Sequence, residues 1–304
     1  MKNGLLSIAL FFLSHPARTQ TDSIGSAGMA ARLYGEKNYK AARDAYGMAI
    51  KEQPARARLY FQRGLTSYAL KEDATARTDF ATAIKKGLNS YEVYYYRALC
   101  SFFLKEYRKA IVDFDSALAR RKYFAEAYVY RGAAHFYLGN DRACVVDESW
   151  AQSINKKNPV SYYYSAMARM QMKDFKRAEM DFTSAIGLKP GCENYYGRAL
   201  LRQQTGNYQG SCSDLSAAIA INPKYAPAYL ERGMVYLSLE NDGKARADFD
   251  SALTIDPSLC KAYHYRALVS FYLHDEAEAC NDLKKARKYG CSLKDDQLSG
   301  INCK

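Results

Sequence analysis

Eight cysteines, at positions 100, 144, 192, 212, 260, 280, 291 and 303, are the residues with the widest chemistry open to them. Thiolates attack carbonyls, ligate metals or pair as disulfides. Of the four histidines, His15 lies in the N-terminal stretch over 1–19, and His135, His264 and His274 have no cysteine or carboxylate at metal-ligand spacing. No Gly-rich phosphate loop, Walker sequence or nucleophile elbow occurs. The second chemistry-bearing set is arginine followed sixteen residues later by aspartate: Arg63/Asp79, Arg97/Asp113, Arg131/Asp147, Arg198/Asp214, Arg232/Asp248 and Arg266/Asp282. Carboxylates that recur beside guanidinium groups do not converge on one centre, so ion pairing is the expectation and acid–base catalysis is not. The chain reads as a non-enzyme with no cofactor and no metal.

Those residues sit in a chain of 304, with 44 Lys+Arg against 32 Asp+Glu and a formal charge of +12. Apolar content of 48% and charged content of 25% exclude a disordered chain and a multi-span membrane protein. A strongly positive balance suggests phosphate or an anionic surface, provided the charges cluster. Composition is skewed toward tyrosine, 27 against a single tryptophan.

At the N-terminus, Lys2 precedes an apolar run from Leu5 to Leu13, followed by Pro16 and the small residues Ala17 and Thr19. This is the layout of a secretory signal peptide over 1–19, too short to span a bilayer. It predicts an exported protein, periplasmic or secreted, with no transmembrane segment in the mature chain. Loss of Lys2 and Arg18 lowers the charge from +12 to +10.

The elements that must position the Arg–Asp set follow from self-comparison. Small residues recur at Ala30, Gly64, Ala98, Gly132, Ala166, Ala199, Gly233 and Ala267, 34 or 33 residues apart. Twelve further on come Ala42, Ala76, Ala110, Cys144, Ala178, Ser211, Ala245 and Ala279. A third small set, Ala49 to Ala286, follows in the same register, and Pro54, Pro190, Pro223 and Pro257 close four of the repeats. Repeats therefore start near 23, 57, 91, 125, 159, 192, 226 and 260. Small residues at three fixed places let two antiparallel helices approach closely. A bulky residue at repeat position 24 (Tyr46, Phe80, Phe114, Glu148, Phe182, Leu215, Phe249, Leu283) fills the gap. A single hairpin cannot bury its apolar face, so the hairpins must stack.

This pattern strongly resembles the tetratricopeptide repeat (TPR) family, whose 34-residue signature carries small residues at positions 8, 20 and 27. The resemblance implies an all-α fold, a right-handed α-α superhelix of eight helix-turn-helix repeats over 23–291, with a C-terminal capping helix in 292–304. It also implies a non-catalytic scaffold or adaptor that binds a protein or peptide segment. The family's Trp at position 4 is replaced by Tyr60, Tyr94, Tyr128, Tyr162, Tyr195, Tyr229 and Tyr263, and its Leu at position 7 by the arginines above. The first repeat has Met29 and Ala45 in place of the pair. The fifth has Ser165 with Asp181, whose partner is then Arg169 or Arg177.

In TPR proteins the face carrying positions 5, 9 and 12 lines a concave groove. Here the resemblance assigns to it Phe61, Tyr68, Tyr95, Phe102, Phe136, Tyr163, Met167, Tyr196, Leu230, His264 and Phe271, an aromatic-apolar lining suited to an extended or helical peptide. The opposing expectation is that neighbouring first helices bury part of this stripe. The carboxylate clamp of chaperone-binding TPRs is missing: Phe61, Gln62, Leu65, Tyr95, Tyr96 and Leu99 stand at its sites, so Hsp70/Hsp90 tails are not expected partners. Nucleic acid is also unexpected, because base-reading helical repeats use a 35-residue unit with polar faces. The alternative function is a polyanion- or envelope-polymer-binding module that uses the basic excess.

Repeat geometry narrows the cysteine pairings. Cys260, at position 1, meets Cys291 at position 32 near the hairpin's end, and Cys303 falls beside Cys280. These two disulfides would staple the C-terminal end, leaving Cys100, Cys144, Cys192 and Cys212 as buried thiols.

Overall fold

The computed structural model describes residues 25–291 and Cys303. The expected leader over 1–19, and the expected capping helix over 292–304 except for Cys303, lie outside the described residues. The described chain is all-helical, sixteen helices paired as eight hairpins. Two compact units divide it, one ending at Ala168 and the other beginning at Arg169.

In the N-terminal unit the hairpins are α1 (Ser26–Gly35) with α2 (Tyr39–Glu52), α3 (Ala57–Ala69) with α4 (Asp73–Lys85), α5 (Tyr91–Phe103) with α6 (Tyr107–Arg120), and α7 (Ala125–Tyr137) with α8 (Asp141–Ile154). Helix α9 (Pro159–Gln171) follows and carries the unit's last residues. The C-terminal unit continues with α10 (Phe175–Leu188), α11 (Cys192–Gln204), α12 (Tyr208–Ile221), α13 (Ala226–Ser238), α14 (Asp242–Ile255), α15 (Cys260–Tyr272) and α16 (Glu276–Lys288). From the second repeat on, each first helix begins at the residue where the repeat count restarts.

Packing explains the small residues. A Cβ on Gly64 would lie 2.7 Å from the Phe80 ring, and one on Gly233 would lie 2.5 Å from Phe249. Phe80, Phe114, Phe182 and Phe249 are fully buried, each contributing about 1.5–3 kcal/mol of apolar burial. In the N-terminal unit these rings continue into the next hairpin: Tyr96 stacks on Phe80 and Tyr130 on Phe114, with centroids 6.0 and 6.2 Å apart. Tyr265 stacks on Phe249 in the same way in the C-terminal unit. The fourth repeat departs from this, since Glu148 occupies the Phe position and is wholly buried against Gly132.

Every first helix ends in the same turn. Residues 37, 71, 105, 139, 173, 206, 240 and 274 all have left-handed backbone, with φ between 55° and 77°. The pattern closes the helix as a Schellman motif: Glu72 N–H reaches Ser67 C=O and Glu106 N–H reaches Ser101 C=O. Only Gly139 and Gly206 hold this conformation without a Cβ penalty; Lys37, Lys71, Lys105, Lys173, Glu240 and His274 do not. Lys105→Gly is expected to raise stability by about 0.5 kcal/mol and Gly206→Lys to lower it by about 1 kcal/mol, read by chemical denaturation.

Candidate functional site

Three residues build a polar unit that recurs inside six of the eight hairpins. The arginine on the first helix donates from Nε and Nη2 to both carboxylate oxygens of the aspartate on the second, at 2.5–2.9 Å in all six cases. Arg63 holds Asp79, Arg97 holds Asp113, Arg131 holds Asp147, Arg198 holds Asp214, Arg232 holds Asp248 and Arg266 holds Asp282. The same guanidinium sits 5.4–5.8 Å from the ring of the tyrosine three residues earlier, a cation–π contact.

Asp79, Asp113, Asp147, Asp214, Asp248 and Asp282 are all buried, none more than 6% exposed. Asp79 and Asp248 lie one turn before the inward-facing Ala83 and Ala252, and each is followed directly by a fully buried ring, Phe80 or Phe249. Both oxygens of each carboxylate are engaged by the arginine. Asp79, Asp248 and their four counterparts therefore present no carboxylate to a partner or substrate, and their place is the interior of the hairpin.

In the fifth repeat Arg169 takes over as the partner of Asp181, whereas Arg177 pairs with Asp174. Arg202, at the same repeat position as Arg169, also reaches Asp214. The arginine's remaining nitrogen does what spacing did not suggest. Arg131 Nη1 donates to Asp115 at 2.5 Å, Arg198 to Thr183 at 3.0 Å, Arg232 to Ser216 at 2.9 Å and Arg266 to Asp250 at 2.5 Å. Each acceptor lies two residues beyond the paired aspartate site of the preceding hairpin. A guanidinium holding two carboxylates, as at Arg131 and Arg266, has its pKa raised by both.

The free thiols are not poised for nucleophilic chemistry. Burial raises the pKa of Cys100, Cys144 and Cys212, and burial with the adjacent Glu193 pushes Cys192 up to about 11. Cys100, Cys144 and Cys192 are buried, while Cys212 is half-buried. Among the described residues, no group of three His, Cys, Asp or Glu is placed to hold a metal ion. The other four cysteines are joined, Cys260 to Cys291 and Cys280 to Cys303.

The aromatic stripe splits into covered and open positions. Tyr95, Phe102, Leu230 and His264 are buried, at 3%, 5%, 5% and 8% exposure. Tyr95 is covered by Phe124 at 4.6 Å between ring centroids, with Tyr96, Phe114 and Tyr130 around it. Phe124 is the residue that closes its repeat; Tyr225 does the same to Tyr196 at 5.3 Å. Phe102 is enclosed by Phe103, Tyr107, Tyr130 and Tyr137. Phe61, Tyr68, Phe136, Tyr163, Met167, Tyr196 and Phe271 keep part of their surface open.

In the C-terminal unit a cleft of about 830 Å³ opens along α11, α13 and α15. Met234, Leu237 and Leu268 come from the stripe, but Tyr208, Tyr265 and Tyr272 lie off it, at repeat positions 17, 6 and 13. Tyr265 was reachable from the recurrence of tyrosine at position 6 in Tyr96, Tyr130 and Tyr164. Nothing periodic marks Tyr208 or Tyr272.

The family model for the tetratricopeptide repeat matches residues 196–259, the stretch that holds two of these hairpins. That stretch is built of tetratricopeptide repeats. Solved TPR structures share the chain's fold. A TPR protein from Parabacteroides merdae is 18% identical with a TM-score of 0.62, covering 78% of this chain and 94% of that one. The C-terminal part of a TPR repeat-containing protein from Cytophaga hutchinsonii is 19% identical with a TM-score of 0.61, covering 77% and 97%. YrrB, described as a TPR protein with an unusual peptide-binding site, is 21% identical with a TM-score of 0.51, covering 62% and 97%. No curated protein matches the chain. TPR repeats are typical protein–protein interaction modules and generally non-catalytic. Among the described residues, no helix is long and apolar enough to cross a membrane.

Proposed function

We propose that this protein is a TPR scaffold or adaptor that binds a peptide or protein segment along the open faces of its first helices. The observation that carries the reading is the cleft of about 830 Å³ over α11, α13 and α15, lined by tyrosine, methionine and leucine. Partly exposed Phe61, Tyr68, Phe136 and Tyr163 offer the same chemistry in the N-terminal unit. Such a surface gives apolar anchors to a segment whose backbone stays in water. The signal-like stretch over 1–19 and the two disulfides support an exported location, periplasmic or secreted.

The polyanion alternative draws on the basic excess, but six arginines are committed to buried aspartates in bidentate geometry. Guanidinium groups held that way have little left for a phosphate track.

A photoreactive residue in place of Tyr163 or Tyr272 is expected to cross-link a partner in an extract of the source cells. The same residue in place of Val112, an exposed position on a second helix, is expected not to. Equal adducts from all three positions, or none from Tyr163 and Tyr272, would refute the groove reading.

A further inference from the structure

We propose that the cleft of the C-terminal unit takes a basic segment, presenting lysine or arginine between apolar anchors. The inference rests on the groove reading above and specifies its partner. The cleft's only acidic or basic side chains are Glu240 and Asp242, and no lysine or arginine lines it. In a chain with a formal charge of +12, a wall bearing acid and no base runs against the composition. Glu240 is on the left-handed turn after α13, and Asp242 stands in the first turn of α14. Among the described residues, neither carboxylate is in an ion pair, unlike the buried aspartates of the hairpins.

Tyr208 and Tyr272 are 37% and 49% exposed beside these carboxylates, with Tyr265 further in. Tyrosine faces attract ammonium and guanidinium groups, and carboxylates at the rim add electrostatic complementarity. Met234, Leu237 and Leu268 supply the apolar floor. An acidic rim over an aromatic wall and an apolar floor disfavours an acidic or polyanionic occupant. The preferred segment therefore alternates cationic and apolar side chains.

The test uses the full chain with its disulfides intact and its methionine methyls labelled with carbon-13, the Met234 signal being assigned with a Met234→Leu variant. Two probes are titrated at low salt: a blocked octapeptide alternating leucine and lysine, and its leucine–glutamate counterpart. The lysine peptide is expected to shift the Met234 methyl and to bind about tenfold more tightly than the glutamate peptide. Glu240→Gln/Asp242→Asn is expected to cut that preference below about threefold, with the melting temperature little changed. Equal binding of both probes, a preference the double variant retains, or a Met234 signal that moves with neither would overturn the inference. Those outcomes leave the broader groove reading standing, because the cross-linking experiment decides it separately.

Discussion

Asp147→Ala is expected to destabilise the protein by about 3 kcal/mol, read by urea denaturation. The carboxylate is 3% exposed and accepts two hydrogen bonds from Arg131, so its removal leaves a guanidinium facing a buried gap. Arg131 keeps Asp115 as a second partner, which places the loss toward the lower end for a broken buried pair. Burial raises the Asp147 pKa while Arg131 opposes that shift, so the pair works only as a unit. Arg131→Ala/Asp147→Ala is accordingly expected to lose at least about 1.5 kcal/mol less than the two single variants together. Strict additivity in that cycle would show that the two residues do not depend on each other.

The second large effect lies at the other end of the chain. Cys260 and Cys291 close a loop with a sequence separation of 31, for which chain entropy alone gives about 3–4 kcal/mol. Cys260→Ser/Cys291→Ser is expected to remove most of that locally. Stacked hairpins exchange energy mainly with their neighbours, so the loss falls on α15 and α16. Hydrogen exchange should rise throughout those two helices and stay unchanged in α3 to α6. In the oxidised wild-type protein, thiol titration under denaturing conditions should count four thiols, at Cys100, Cys144, Cys192 and Cys212. A count of eight would mean that the bridges do not form.

The fold was legible because its grammar is repeated. Small residues at three positions, and an arginine and aspartate sixteen residues apart in six repeats, each state one helix–helix contact several times. The spacing of Arg63 with Asp79 and of Arg232 with Asp248 announced the pairing, whereas the depth at which those carboxylates lie came from the packing of Phe80 and Phe249 beside them. Contacts that the chain makes only once or twice were not legible. Phe124 covering Tyr95 and Tyr225 covering Tyr196 depend on residues that close their own repeats, where other repeats have Arg56, Ser90 or Gly191. Periodicity therefore placed the aromatic stripe on one face without showing which of its rings stay open. The cleft shows the same limit: Leu237 and Leu268 follow from helical spacing, whereas Tyr208 and Tyr272 line it from outside the stripe.

The third nitrogen of the repeat arginines makes the hairpins unequal neighbours. Asp115, Thr183, Ser216 and Asp250 each receive it, but the corresponding residues of the first two repeats are Gly47 and Ala81, which have no side-chain acceptor to offer. In a one-dimensional array, stability divides into a term for each hairpin and a term for each junction. The junctions at Gly47 and Ala81 lack a polar contact that the later junction in the same unit possesses. Within the N-terminal unit the polar link thus changes place from junction to junction: Arg43 grips Glu72 at the first and Arg77 grips Glu106 at the second, and only at the third does a repeat arginine take over, where Arg131 grips Asp115.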